Sequence, residues 1–133
     1  MNVQNLSKDQ LTYNLLKKGL DASSIRSKAI SNNIANINTK GYKRQYVSFE
    51  ESLKENMDNV NLKTEDDKHI QDGSEYGEVK AETDNSSSMR EDGNNVDVDN
   101  EMVNQAANTL MYNALVTQAN SRLTMERYVI NGR

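Results

Sequence analysis

The apolar residues of this chain are concentrated at its two ends, where they recur at helical spacing within residues 16–37 and 103–130. Between these ends, residues 54–95 are polar and acidic and contain few apolar side chains. Such a middle segment cannot cover two long amphipathic helices, because burial of apolar surface must offset the entropy lost on folding. The two apolar stripes must therefore pack against each other or against other copies of the chain.

The composition points the same way. The chain has 133 residues, a mean hydropathy of -0.90, 27% charged residues and no Trp. This is enough length for one ordinary domain but a poor supply of core residues. We therefore expect self-association or a partner to provide much of the stability, and we expect the termini of the isolated chain to be mobile.

The charges are unevenly distributed. Residues 1–49 carry 8 basic and 2 acidic side chains, whereas residues 50–92 carry 5 basic and 14 acidic ones, and residues 93–133 carry 3 and 4. A basic arm beside an acidic middle suits complementary contacts between neighbours in an assembly. Solubility alone would explain the same pattern, and the sequence does not separate the two interpretations.

The N-terminal segment is predicted to be a helix of about 30 residues. Ser7 is its expected N-cap, with Gln10 completing a capping box. Small residues in the stripe, Ser23 and Ser27 among them, would let another helix approach closely. The apolar seam consists of Leu16, Leu20, Ile30, Ile34 and Ile37.

The C-terminal segment is predicted to be a second helix of about 30 residues that begins among the acidic residues 96–101 and ends at Asn131-Gly132. Two adjoining rows make one wide apolar face on it. The first row is Val103, Ala107, Leu110 and Ala114; the second is Tyr112, Leu115, Ala119 and Leu123. The rows are not strict heptads, so a multi-subunit bundle is more natural than an isolated two-stranded coiled coil.

An asparagine-rich corner ends the first helix. Asn is a mediocre helix former whose side chain binds neighbouring backbone groups, and Gly41 tolerates a left-handed turn. We therefore expect a hydrogen-bonded corner here. Its residues are Asn32, Asn33, Asn36, Asn38, Thr39, Gly41 and Tyr42.

The middle of the chain gives weaker signals. Residues 45–49 alternate and fit either an extended segment or the start of a short amphipathic element that continues to Leu53. Residues 54–95 contain several turn signals, and we expect loop, short β pieces such as residues 78–83, and partial disorder.

The predicted fold class is mainly α, with two long terminal helices packed as a coiled-coil-like hairpin or bundle. The predicted divisions are a helical assembly segment at 1–40, a polar acidic loop and short β region at 41–95, and a second helical assembly segment at 96–133.

Catalytic and cofactor chemistry finds no support in the sequence. The chain has no Cys and one His, His69, which lies in the acidic stretch without convergent partners. The carboxylate pairs Glu50-Glu51 and Asp66-Asp67 lie in hydrophilic runs that would not shift a pKa. We therefore predict no catalytic, metal or cofactor site, no enzyme activity and no small-molecule substrate.

The sequence also argues against two further classes of protein, those that bind nucleic acid and those that span a membrane. Basic residues near position 42 are interleaved with tyrosines, which is typical of a small nucleic-acid patch, but the net charge of -4 and the acidic middle argue against phosphate binding. The chain also has no apolar run of the roughly 20 residues that a membrane-spanning helix needs, and residues 1–10 lack the features of a secretory signal.

The sequence SNNIANINTKGYKR, residues 31–44, resembles the N-terminal signature shared by flagellar rod, hook and hook-associated proteins. The usual form of this signature has proline before the glycine, where this chain has Lys40. The stretches VSFEESL (47–53), TDNSSSMR (83–90) and GNNVDVDNEM (93–102) resemble the proximal rod proteins of that family. The resemblance covers most of the chain and is weakest over residues 56–82.

The resemblance implies a structural subunit of the bacterial flagellar basal-body rod. Such a subunit is exported by the flagellar type III apparatus without a cleaved signal peptide and polymerises outside the cytoplasmic membrane. It implies a proximal rod that transmits torque and encloses the export channel, with other copies, other rod proteins, the export apparatus and the rod-base adaptor protein at the membrane ring as partners. By the same resemblance, the corner residues shape the turn. Subunit packing falls to Leu16, Leu20, Ile30, Ile34, Ile37, Val103, Leu110, Leu115 and Leu123.

Two alternatives remain at this point. One is another axial protein of the rod and hook type, which would differ in its middle segment and in its position in the basal body. The other is a soluble helical adaptor, which would stay a compact monomer or dimer at high concentration.

Overall fold

The computed structural model describes residues 8–62, 79–86 and 90–132. In this part of the chain, α1 spans Lys8–Ala35, β1 spans Gln45–Val47, α2 spans Phe49–Leu62, β2 spans Ala81–Thr83 and α3 spans Val98–Asn131. The predicted N-cap Ser7, His69 and the Asp66-Asp67 pair lie outside the described residues. The prediction of a mainly α fold, with two long terminal helices packed together and short β pieces between them, is confirmed.

Helices α1 and α3 run antiparallel along a seam of small and polar residues. Gly19 lies against Leu115, since a Cβ on Gly19 would be 3.3 Å from Leu115 Cδ1. The Ser23 hydroxyl donates to Asn108 Oδ1 at 2.8 Å, and Asn108 Nδ2 returns a bond to the Ser23 carbonyl at 2.9 Å. Because these side chains are short, the two backbones approach closely, and the paired hydrogen bonds fix their register.

The small hydrophobic core lies on another side of α1. Ala22 packs there with Val47 and Phe49, and Leu53 and Val79 pack partly buried against this cluster. Strands β1 and β2 form an antiparallel pair with Tyr46 opposite Glu82. The core thus joins α1, the two-stranded sheet and the first turns of α2.

Helix α2 corrects one expectation. Residues 54–62, expected as loop, continue the helix that starts at Phe49. Of the two alternatives for the segment that begins at residue 45, the structure contains both in part: residues 45–47 are extended in β1, and a helix begins at Phe49 and continues beyond Leu53. Its start is set by Phe49, which is buried, by the acids Glu50 and Glu51 in its first turn, and by an ion pair between Glu50 and Arg26 of α1. The stretch from Phe49 to Leu62 contains neither Gly nor Pro, so no helix-breaking residue interrupts it.

Helix α3 is capped at both ends by its own local sequence. The Asp97 carboxylate accepts bonds from the backbone amides of Asp99 and Asn100, as an N-cap does. Gly132 closes the other end in a left-handed conformation, with its amide bonded to the Tyr128 carbonyl. Neither this helix nor any other in the described part of the chain is long and apolar enough to cross a membrane.

Candidate assembly site

The asparagine corner folds residues 36–41 into a turn that a second loop holds from outside. The side chain of Asn94 is fully buried, and its Nδ2 group lies within 3.0 Å of the carbonyl oxygens of Asn36, Ile37 and Thr39. Its Oδ1 accepts the Val96 amide at 2.8 Å. Three carbonyl groups of the turn that follows α1 are thereby bonded from the loop that precedes α3.

Two glycines allow the corner and this loop to meet. Gly41 has φ of 74° and Gly93 has φ of 78°, both in the left-handed region. The Gly41 amide donates to the Asp92 carbonyl at 2.9 Å, and a Cβ on Gly93 would lie 3.7 Å from Gly41 Cα. The corner is therefore one half of a two-loop junction.

Asn33, the last buried residue of α1, is the centre of the site. Its Nδ2 donates to the Gln45 carbonyl at 2.8 Å and to Glu101 Oε2 at 2.9 Å. Its Oδ1 accepts the Gln45 amide at 2.9 Å and the Tyr42 hydroxyl at 3.2 Å. An asparagine amide has two donor hydrogens and two acceptor lone pairs, so all four are used. Because Asn33 bonds both backbone groups of Gln45, its side chain pairs with the outer edge of β1 as a neighbouring strand would.

Glu101 completes the buried network from α3. Its carboxylate is fully buried, with one oxygen on Asn33 and the other 2.6 Å from Arg44 Nε. A buried carboxylate without a partner is strongly unfavourable, whereas this one has a charged partner and a hydrogen-bond donor. We call Asn33, Tyr42, Arg44, Gln45 and Glu101 the polar clasp. It fastens the C-terminal end of α1, the corner, β1 and the start of α3 to one another.

The sequence reasoning found only part of this arrangement. It singled out Asn33, Asn36, Thr39 and Tyr42, which the structure brings together, and also Asn32 and Asn38, whose side chains are exposed. Residues that it did not name as site residues are Glu101, Arg44, Asn94 and Asn95. The sequence did contain a signal for Asn94 and Asn95. They are two adjacent asparagines after Asp-Gly, and their side chains can bind backbone groups as those of the asparagine corner do. Glu101 was attributed to the helix macrodipole, and only the packing of α3 on α1 shows its other role.

The two-stranded sheet carries the perturbed titratable groups. Glu82 accepts bonds from the hydroxyls of Ser48 at 2.6 Å and Tyr46 at 2.9 Å, and these bonds lower the pKa of Glu82 below its ordinary 4.5. The bond to Glu82 and its negative charge raise the pKa of Tyr46. The Ser86 amide lowers the pKa of the Asp84 carboxyl by bonding to it. These groups are exposed, so they tie surface strands together and do not form a reactive centre.

The predicted packing residues fall into three environments. Ile30 is buried in the chain itself, and Leu16, Leu20, Ile34, Ile37 and Leu115 are half-buried. Val103, Leu110 and Leu123 are exposed, with 68% and 71% of the first two accessible. The wide face predicted for α3 is therefore divided. Leu115 and Ala119 of its second row are half-buried, with Leu115 against Gly19 of α1, whereas the first row, Val103, Ala107, Leu110 and Ala114, is exposed.

We call Val103, Ala106, Ala107, Leu110 and Ala114 the outer row. These residues share one exposed face of α3, and Thr117 and Ser121 continue it. The whole stretch 102–121 of α3 contains no charged residue, although 27% of the chain is charged. By contrast, the exposed face of α1 carries Lys17, Asp21 and Lys28. An exposed, uncharged and partly apolar helix face is typical of a surface that another molecule covers.

In the described residues, no group of three or more His, Cys, Asp or Glu side chains is arranged to hold a metal ion.

Comparison with known proteins identifies the family. The sequence profile of the family described as flagella basal body rod protein matches residues 16–43, which include most of α1 and the corner. The flagellar basal body rod protein FlgB of Bacillus subtilis (strain 168) is 33% identical over 121 residues, covering 91% of this chain and 94% of that protein. FlgB of Borreliella burgdorferi is 38% identical over 105 residues, covering 72% and 78%, and FlgB of Borrelia hermsii is 36% identical over 112 residues, covering 77% and 83%. With this identity spread along nearly the full length of its relatives, the chain belongs to the FlgB family of flagellar basal body rod proteins.

Proposed function

We propose that this chain is a structural subunit of the bacterial flagellar basal-body rod that polymerises through α1 and α3. The family membership supports the place in the rod, and the outer row of α3 supports the mode of assembly. In this proposal the rod transmits torque and forms the wall of the export channel. The role of the chain is mechanical, and no catalysis is part of it.

The outer row is the observation that carries the assembly proposal. Within the described residues, nothing covers Val103 or Leu110, and burial of a Leu or Val side chain stabilises by about 1.5 to 3 kcal/mol. The exposed residues of α1 include the charged side chains Lys17, Asp21 and Lys28, together with the accessible apolar side chains of Tyr13 and Ile25. The outer row is therefore the uncharged side of the hairpin, and we assign it to contact with a neighbouring copy.

The polar clasp gives the subunit a fixed shape for assembly. It holds α1 and α3 in one register through buried groups that are satisfied only in that register. Identical subunits of fixed shape that join through two different surfaces build a helical polymer, because a heterologous contact does not close on itself. Rod geometry requires such a contact.

The family membership supports a proposal for the location and the partners of the chain. The proposed location is the flagellar basal body outside the cytoplasmic membrane, reached by flagellar type III export without a cleaved signal peptide. The proposed partners are other copies, other rod proteins, the rod-base adaptor protein at the membrane ring and, in transit, the export apparatus. The corner and clasp residues would be assembly determinants through the shape they give to the subunit.

The experiment that tests this proposal is Leu110→Asp in a strain whose own copy is deleted. Leu110 tests assembly more specifically than Ile34, another predicted packing residue. Ile34 is half-buried in its own chain, so an acid at that position would also disturb the fold of the subunit. We expect the Leu110→Asp protein to be made and helical by circular dichroism but absent from purified basal bodies, and the cells to be non-motile on soft agar.

The matched control is Ser24→Asp on the exposed face of α1, which adds the same charge and should leave swimming intact. Normal swimming by the Leu110→Asp strain would contradict the role of the outer row. If the wild-type chain stayed a compact monomer or dimer at high concentration and were absent from basal bodies, a soluble adaptor would be the better interpretation.

A further inference from the structure

A groove runs beside the outer row, where α1, β1 and α3 meet. Its volume is about 310 Å³. Ala29 and Ile30 of α1, Tyr46 of β1 and Met111 of α3 line it, and Ala107 of the outer row lies on its rim. The groove therefore has a largely uncharged lining next to an uncharged helix face.

The two arginines of the groove are already paired within the chain. Arg26 forms an ion pair with Glu50 and contacts Met111 Sδ at 3.8 Å, and Arg44 is held by Glu101 in the polar clasp. An anionic ligand would have to compete with these carboxylates. The groove therefore favours an uncharged occupant with apolar side chains over an acidic peptide or a phosphate.

The outer row of a second copy has that chemistry. It lies on a helix stretch without charge, and Val103 and Leu110 project from it. Its alanines permit close approach of another backbone. The row and the groove adjoin at Ala107 but face different directions, since Asn108 and Met111 of α3 face the groove whereas Leu110 is exposed on the far side of the helix.

We propose that, in the assembled rod, the groove between α1, β1 and α3 of one copy receives the outer row of the next copy, with Leu110 as the inserted side chain. This inference rests on the proposed function and adds the two surfaces that meet. Because row and groove differ, the contact is heterologous and continues from copy to copy.

The size of the contact sets the conditions under which it forms. The outer row together with its continuation through Thr117 to Ser121 is about 27 Å long at about 1.5 Å per residue. With a helix diameter of about 10 Å, it covers on the order of 300 Å² of each partner, less than half of the roughly 800 Å² that a stable interface buries. A dilute pair of subunits should therefore not associate, whereas the polymer holds the same contact through many simultaneous neighbours.

The absence of native cysteine makes disulfide cross-linking a clean test. The chain carrying both Leu110→Cys and Gln45→Cys is expressed in a deletion strain, and its basal bodies are purified, mildly oxidised and run on a non-reducing gel. Gln45 lines the groove and makes its clasp bonds through its backbone, so this substitution keeps them. We expect a ladder of linked multimers from the double variant and no ladder from either single variant.

Leu110→Cys with Lys28→Cys is the matched control, because Lys28 lies on the exposed face of α1. Assembled basal bodies without a ladder, or dimers from Leu110→Cys alone, would overturn the row-in-groove contact while leaving the proposed function intact. Absence of the wild-type chain from basal bodies would instead overturn the proposed function.

If the cysteine variants do not assemble into basal bodies, a different substitution tests the same contact. Gln45→Trp fills the groove and is expected to abolish motility, whereas Lys28→Trp should not change it. Normal motility of the Gln45→Trp strain would overturn the contact.

Discussion

Asn33 connects three segments of the chain through a single side-chain amide. It bonds both backbone groups of Gln45, the hydroxyl of Tyr42 and the carboxylate of Glu101. No other side chain of similar size has two donors and two acceptors in this geometry. Aspartate would place a second carboxylate against Glu101, and leucine would leave every partner unsatisfied.

We predict that Asn33→Ala lowers the free energy of unfolding by about 2 to 4 kcal/mol, because it leaves several buried polar groups without partners. Urea unfolding followed by circular dichroism measures this loss. The control is Asn38→Ala in the same corner, which is exposed and should change stability by less than about 0.5 kcal/mol. Equal effects of the two substitutions would contradict the central position of Asn33.

At the scale of elements, the contact between α1 and α3 depends on hydrogen bonds more than on apolar packing. Ser23 and Asn108 are buried and bonded to each other twice, and Gln105 Nε2 donates to Ser27 Oγ at 3.3 Å. Apolar residues at these positions would allow the two helices to pack in several registers. Buried polar groups that must form hydrogen bonds with one another are satisfied in only one register.

We predict that Asn108→Ala lowers the free energy of unfolding by about 1 to 3 kcal/mol, since Ser23 then keeps a buried carbonyl and hydroxyl without their partner. Asn113→Ala is the matched control on the exposed face of the same helix, and it should be neutral or slightly stabilising because Ala has the higher helix propensity. The measurement is the same urea titration. A larger loss from Asn113→Ala would show that the seam does not lie where the structure places it.

The pairing of β1 with β2 should depend on pH. The pKa of Glu82 and that of Asp84 lie below their ordinary values of 4.5 and 3.8. A carboxyl whose pKa is lower in the folded state stabilises the fold above its unfolded pKa, and this contribution is lost as the pH falls through the folded pKa. We expect the strands to loosen below about pH 4, seen as lower protection of the Tyr46 and Ser48 amides once their exchange rates are corrected for the intrinsic pH dependence of exchange, with Glu82→Gln weakening this acid response. The raised pKa of Tyr46 has the opposite sign, and its contribution is lost as the pH rises through that pKa. Protection factors of these amides that stay unchanged between pH 6 and pH 3 would contradict this prediction.

At the scale of the whole molecule, stability should be graded along the hairpin. Buried contacts concentrate at one end, around Asn33, Val47, Phe49, Asn94 and Glu101, whereas residues 123–132 of the chain are all exposed. Such a subunit is most stable at the polar clasp, and the opposite end of its hairpin gains stability only from contacts with neighbouring subunits. The prediction that the termini of the isolated chain are mobile can therefore be assigned to the helix ends far from the polar clasp.

Hydrogen exchange of the dilute free chain tests that gradient. We expect the slowest exchange at the amides of residues 29–35, 45–47 and 101–108, and exchange faster by at least about tenfold in residues 8–16 and 123–131, because helix ends without tertiary contacts open readily. Assembly into rods should slow the exchange of the helix ends. Uniform protection along α3 in the free chain would contradict the prediction.

Local sequence was sufficient for the elements and for the family. Periodic apolar residues predicted both long helices, Asp97 and Gly132 set the limits of α3, and the corner motif pointed to rod and hook proteins, because periodicity, caps and turns depend on residues near in sequence. The length of α2 was missed for the opposite reason. Its first turns are fixed by Phe49, whose partners Ala22 and Val47 lie on other elements.

Which face of α3 turns inward was decided by the tertiary structure alone. Apolar residues occur around much of that helix, so its pattern does not distinguish the outer row from the seam. Glu101 and Asn108 turn inward because Asn33 and Ser23 of α1 offer them buried partners, and Val103 and Leu110 are left outside as a result. The sequence by itself determined two helices that need neighbours, whereas the satisfaction of buried polar groups determined which surface remains for them.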